Sequence, residues 1–114
     1  MSPMLVFRDG ALEAVLGSPG GARIIGYVAQ SLVALLDWNL EPQVAAALPH
    51  AGALHAAVEL ELGTAAAGLA PALAARGLPV EVTAMNSGLN ILRVQRGRIL
   101  GGSDPRREGV AAGD

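Results

Sequence analysis

The chain opens on two short apolar runs, Met4-Leu5-Val6-Phe7 and Leu12-Glu13-Ala14-Val15-Leu16, on either side of Arg8-Asp9-Gly10-Ala11. Asp-Gly between such runs signals a hairpin, because both central positions of the favoured tight turn take positive φ. A β-hairpin is therefore predicted first. From about Gly21 to Asp37 the pattern changes period: Ile24, Ile25, Val28, Leu32, Leu35 and Leu36 recur every three or four residues, as on one face of a helix. Tyr27, Ala29, Val33 and Ala34 widen that face until only Arg23, Gln30 and Ser31 look wet. The pattern predicts a helix covered on more than one side, with Gly26 marking a close approach to a neighbour.

Asn39 interrupts the periodicity, and Pro42, suited to a first helical turn, opens a short helix through about Leu48 that Pro49 closes. His50 to Ala57 reads as a loop. Val58, Leu60 and Leu62 alternate with Glu59 and Glu61, the period of a half-buried strand, so the two glutamates are placed on its wet outer face. Thr64 is the expected N-cap of a helix through about Arg76, with Leu69 and Leu73 on one face and Gly77 as the left-handed C-cap residue. Pro71 implies that regular helix begins only near Ala70. Val80 to Met85 reads as a strand and Asn86-Ser87-Gly88 as a turn. Leu89 to Val94 and Arg98 to Leu100 flank Gln95-Arg96-Gly97 as a second hairpin, and the tail from Gly101 has turn chemistry without periodicity.

Composition narrows the function classes. At 114 residues the chain is read as a single domain over 1–114, long enough for a two-layer core. It is 52% hydrophobic yet only 3% aromatic, so Ala, Val and Leu must fill the interior, and apolar surface is left for another chain to cover. All eight basic residues are arginine, which removes lysine Schiff-base chemistry and the P-loop. A net charge of −2 gives no pull toward nucleic acid or an anionic membrane. The absence of cysteine removes thiolate nucleophiles and zinc-thiolate sites. The N-terminus lacks a signal-peptide pattern, and the apolar run Ile24 to Leu36 is too short and too polar to span a bilayer; localisation is left open.

The candidate site is Leu16-Gly17-Ser18-Pro19-Gly20-Gly21-Ala22-Arg23-Ile24-Ile25, where a strand runs into the longest helix through a glycine-rich turn. Glycines reach positive φ at little cost and let backbone amides approach a ligand. The first amides of a helix lack intrahelical partners and lie at the positive end of its dipole, so Gly20 and Gly21 can offer donors to an anion or a developing oxyanion. The structural alternative has Ser18 capping the helix, Pro19 starting it and the glycines permitting close packing. Other chemistry has less support. His50 and His55 lie five apart in a predicted loop, and no nearby carboxylate completes a metal-ligand set of usual spacing, so no metal or cofactor is expected. Ser18, His50 and Asp37 form a triad only on paper. Ser2, exposed by removal of Met1, would have its own amine as base but is followed directly by Pro3. Arg106-Arg107 with Asp104 and Glu108 reads either as a carboxylate site or as an ion-paired turn closing the tail.

Met1-Ser2-Pro3 before the Asp9-Gly10 turn, the Leu16 to Ile25 segment, and Leu100-Gly101-Gly102-Ser103-Asp104-Pro105-Arg106-Arg107-Glu108-Gly109 together resemble the C-terminal part of the γ-glutamyltransferase small subunit. The resemblance covers the whole chain, and its Ser-Pro-Gly-Gly and Asp-Pro-Arg-Arg segments are its specific marks. It implies an α+β fold: part of the αββα sandwich of N-terminal-nucleophile hydrolases, mainly antiparallel strands with two to three helices. It also implies an enzyme whose N-terminal threonine attacks the γ-glutamyl amide of glutathione and passes the acyl group to water or an amino acid. Gly20 and Gly21 correspond to the residues whose amides form the oxyanion hole.

In that family the nucleophilic threonine and the residues holding the substrate's α-amino and carboxylate groups lie upstream of the position where this sequence starts. The expectation is that these 114 residues alone are catalytically silent. The expected partners are the rest of the small subunit and the large subunit, with self-association of the isolated chain. Family members in bacteria are often periplasmic or secreted. The rival readings are a non-catalytic interaction or scaffold module from a truncated gene and, more weakly, an anion-binding module that holds phosphate on the Gly20 amide.

Overall fold

The structure is a computed structural model that describes residues 1–113. It has two compact units: Met1–Leu48 together with the chain from Ser87 onward, and Pro49–Asn86.

The first unit is built on a four-stranded antiparallel sheet in the order β1-β2-β3-β4, formed by Met4–Arg8, Ala11–Gly17, Asn90–Gln95 and Arg98–Ser103. Both predicted hairpins are present. Their two-residue turns, Asp9-Gly10 and Arg96-Gly97, have φ of 51° and 79°, and of 50° and 75°, which suits the right-handed twist of the flanking strands. The last strand runs to Ser103, so Gly101 and Gly102, expected in an irregular tail, belong to the ladder.

Alternation sends Ala14, Leu16 and Ile91 to one face, where they are buried. Helix α2, Pro42–Ala47, covers that face with Ala45 and Ala46. The packing is close enough that a Cβ at Gly102 would overlap the Pro42 carbonyl. The register row Leu5, Val15, Leu92, Gly101 lies on the opposite face, as does Ile99 beside Val94. There Leu5, Leu92 and Ile99 are 61%, 48% and 69% exposed.

Helix α1, Ile24–Leu36, comes after a 3₁₀ turn over Gly21–Arg23. It buries Tyr27, Val28, Ser31, Ala34 and Leu35. Two expectations for it fail. Ser31 is buried because its hydroxyl donates to the Tyr27 carbonyl, which satisfies the polar group within the helix. Ile25 and Val33 are exposed and nothing approaches Gly26, so the helix is covered on one side only.

The second unit holds a mixed sheet in the order β5-β6-β7, formed by Ala51–Leu54, Ala57–Glu61 and Val80–Thr83. The first pair is antiparallel and the second parallel. The segment expected as a loop from His50 to Ala57 is thus strand β5 and a hairpin. Its sequence, Ala-Gly-Ala-Leu, has little strand propensity of its own, and the ladder to the central strand supplies the conformation. The turn, His55-Ala56, places His55 at φ 55° without a glycine to announce it.

The glutamates of β6 correct a second expectation. Glu59 and Glu61 are buried, while Leu62 is exposed. The Glu61 carboxylate accepts the His50 backbone N–H at 2.8 Å, and the Glu61 N–H donates back to the His50 carbonyl at 3.0 Å. Burial of this acid is thus matched by a backbone donor that a loop-to-strand junction would otherwise leave unpaired.

Thr64 does cap, accepting the Ala66 N–H, but the turn it caps is a 3₁₀ segment over Ala65–Leu69. Regular helix, α3, begins at Ala70 with Pro71 in its first turn and spans Ala70–Ala74. Gly77 takes φ 81° beyond it.

Candidate active-site turn

Strand β2 ends at Gly17, and the chain turns into α1 through Ser18-Pro19-Gly20-Gly21. Gly20 has φ 139° and Gly21 φ 61°, values that disfavour any side chain. At Gly20 there is a second reason: a Cβ there would lie 2.7 Å from Tyr27 Cε2, so the α1 tyrosine packs directly on the turn. Gly21 has no atom within 4 Å of where a Cβ would stand and faces open space. The Gly20 carbonyl accepts the Arg23 N–H, whereas the Gly20 and Gly21 amides enter none of the loop or turn hydrogen bonds of this segment. The turn thus presents adjacent backbone donors ahead of a 13-residue helix.

Ser18 is not the helix cap. Gly20 holds the cap position of the 3₁₀ turn and Arg23 that of α1, neither with a side-chain cap bond. The Ser18 side chain is fully buried; its hydroxyl donates to the Pro19 carbonyl at 2.7 Å and accepts the Gly88 N–H at 3.0 Å. Donating to one neighbour and accepting from another, it braces the turn. Pro19 lies against Gly88, where a Cβ would come within 2.8 Å of Pro19 Cγ and 2.7 Å of Arg107 Cδ.

The Asp-Pro-Arg-Arg segment closes on the same place. Asp104 is 2% exposed. Its Oδ1 accepts the Arg106 N–H at 2.9 Å and Arg106 Nη1 at 3.0 Å. Its Oδ2 accepts the Leu89 N–H at 3.1 Å and the Ser87 hydroxyl. Burial by itself would raise this carboxyl. The Ser87 hydroxyl, the Arg106 and Leu89 amides and the Arg106 guanidinium outweigh it and hold the group below the usual carboxylate range. Arg106 also donates to the Ala46 and Leu48 carbonyls at the end of α2, and Arg107 Nε donates to the Ser87 carbonyl. Of the two sequence readings of this segment, the geometry matches the ion-paired turn for Arg106. A cleft of about 430 Å³ opens on the Pro19 side of the turn, lined by Pro3, Gly17, Gly88, Leu92, Asp104 and Arg107 among others; Gly20 and Gly21 are outside it.

The remaining candidates are dispersed. Ser2 is exposed, with its carbonyl passing beside Gly17. Asp37 is exposed at the end of α1, and Ser18 is engaged elsewhere, so the paper triad has no geometric basis. Among the described residues no group of three or more His, Asp or Glu side chains is arranged to hold a metal. Sequence reasoning missed Ser87 and Leu89 as partners of Asp104; Ser18 and Gly88 are 70 residues apart, and no local pattern links them.

Comparison with known proteins agrees with this architecture. The family model for gamma-glutamyltranspeptidase matches residues 1–114. The chain is 38% identical over 109 residues to the glutathione hydrolase proenzyme of Escherichia coli K12, an alignment covering 93% of this chain and 19% of that protein. It is 36% identical over 115 residues to the glutathione hydrolase proenzyme of Pseudomonas aeruginosa, covering 96% of this chain and 21% of that one. This chain therefore spans about a fifth of the length of these relatives. The solved γ-glutamyltranspeptidase of Pseudomonas nitroreducens, complexed with L-DON, superposes with a TM-score of 0.88 at 29% identity, over 100% of this chain and 62% of that one. The strands and helices are the α+β arrangement expected of an N-terminal-nucleophile hydrolase, and the chain belongs to the γ-glutamyltranspeptidase family.

Proposed function

We propose that this chain supplies the oxyanion-hole half of an active site that cleaves the γ-glutamyl amide of glutathione and transfers the acyl group to water or an amino acid. The observation that carries the reading is the turn itself: Gly20 at φ 139°, Gly21 at φ 61° and open space on the Gly21 side. In acyl transfer the carbonyl oxygen gains charge as the nucleophile adds, and two fixed backbone donors stabilise that charge without reorganising. Catalysis by such donors requires a nucleophile, and the 114 residues taken alone lack the family's threonine, so they are proposed to be silent by themselves. Titration of the chain with L-glutamate, followed by amide NMR, should move the Gly20 and Gly21 resonances. Release of p-nitroaniline from γ-glutamyl-p-nitroanilide above the protein-free rate, abolished by Ser2→Ala, would overturn the silence and make Ser2 the nucleophile.

A second reading concerns partners. The exposed face carrying Leu5, Leu92 and Ile99 lies opposite the one that α2 covers. Such a face favours packing on the remainder of the small subunit and on the large subunit, and self-association when the chain is alone. In that state the chain acts as an interaction module. Light scattering that finds a monomer at all concentrations counts against it.

A further inference from the structure

The buried polar groups around Asp104 do more than close the tail. A side chain whose two oxygens accept from Ser87, Leu89 and Arg106 fixes both residues that flank Gly88. The Gly88 N–H then points one way only, into the Ser18 hydroxyl at 3.0 Å. Ser18 passes the constraint on by donating to the Pro19 carbonyl, the peptide group whose nitrogen is that of Gly20. Pro19 is at the same time in contact with Gly88, which has no room for a Cβ between Pro19 Cγ and Arg107 Cδ, and Arg107 is held by the Ser87 carbonyl. Ser18, Ser87 and Gly88 are all buried. Buried hydrogen bonds of this kind contribute little net stability over apolar packing, but they select one geometry among many.

We propose that Ser87 and Asp104 are positioning residues for the Gly20–Gly21 turn, acting through the Gly88 amide and the Ser18 hydroxyl to aim the two glycine amides. The proposal rests on the reading of those amides as the oxyanion hole, which it extends from the donors to the groups that orient them. Neither residue touches a reacting atom.

The test uses the full chain, isotopically labelled, and needs no ligand for its first part. Ser87→Ala removes one hydroxyl and leaves Asp104 paired with Arg106; Asp104→Asn keeps the shape and removes the charge. Each should shift the Gly20 and Gly21 amide resonances while leaving those of β1 unchanged. In a Ser18→Ala background the same substitutions should have a smaller effect at the glycines, because only the packing of Pro19 on Gly88 then joins the two segments. A contribution to folding alone would instead leave the glycines in place or move resonances throughout the unit. Unmoved Gly20 and Gly21 resonances in folded Ser87→Ala, with Gly88 and Leu89 perturbed, overturn the proposal. Should Asp104→Asn fail to fold, Ser87→Ala decides the matter alone. L-glutamate is then added: if it moves nothing in the unaltered chain, the oxyanion reading fails while the coupling measured without ligand stands on its own.

Discussion

The two units solve the same problem, a sheet that needs a second layer, with different resources. The larger one lays α2 across β3 and β4, buries Ala14, Leu16, Leu89 and Ile91, and ties its loops together through Asp104. The smaller one, Pro49–Asn86, buries only Leu60, Ala66 and Met85 among its apolar residues, and α3 contributes no buried residue. Units of fewer than about 40 residues seldom hold themselves together by an apolar core alone. The difference teaches that a strand pattern is an adequate guide where a face is truly half-buried. It misleads where a polar side chain such as Glu61 is drawn inside to accept a backbone N–H.

The largest expected effect falls on the polar clamp. Asp104→Ala would remove the shared acceptor of the Arg106 guanidinium, the Ser87 hydroxyl and the Leu89 amide and leave Arg106 with the Ala46 and Leu48 carbonyls as acceptors, at a cost of about 3 kcal/mol in urea unfolding. Because the native carboxyl is held below its ordinary range, its contribution is fully present above that range and is lost as the pH falls through the depressed native value. Asp104→Asn should therefore flatten the acid limb of the stability profile, and an unchanged limb would assign acid sensitivity elsewhere.

Of similar size is Leu60→Ala, which empties the best-buried apolar site of the smaller unit at about 3 kcal/mol. Hydrogen exchange should then show β5, β6 and β7 losing protection while β2 and β3 keep theirs. Simultaneous loss in both would mean that the units fold as one, and would end the contrast between them. Thr64→Ala should cost about 1 kcal/mol, since the hydroxyl both accepts the Ala66 N–H and donates to the Glu61 carbonyl. Smallest in stability is Ile99→Glu, within about 0.5 kcal/mol of the parent because the side chain is 69% exposed. Its effect should appear in light scattering instead, as weaker self-association. Unchanged scattering would remove this face from the interface.

Much of the larger unit is legible in order along the chain. Asp9-Gly10 and Arg96-Gly97 mark hairpin turns because their φ values are local requirements, and Pro42 marks a helix start because its ring fixes φ in the first turn. The spacing from Ile24 to Leu36 is likewise a local record of a helix. The site is half legible. Gly20 and Gly21 stand out as a turn that only glycine accommodates, but Ser18 reads as a cap because the nearest backbone amides in sequence are helical ones. Its true donor, on Gly88, is distant in sequence. Strand β5 is hidden because Ala-Gly-Ala-Leu acquires its extended form from pairing with β6, and pairing leaves no mark on the residues that receive it.

The sequence by itself determined the local conformations: where hairpins turn, where α1 and α2 run, and that a glycine-rich turn joins the Leu16 strand to the Ile24 helix. Tertiary structure alone decided which polar groups are buried and what they do there. Glu61 is inside because His50 offers it an amide, and Asp104 is inside because Ser87, Leu89 and Arg106 surround it. The reason is physical: a backbone turn is settled within a few residues, whereas the cost of burying a charge depends on partners that only the folded chain brings near.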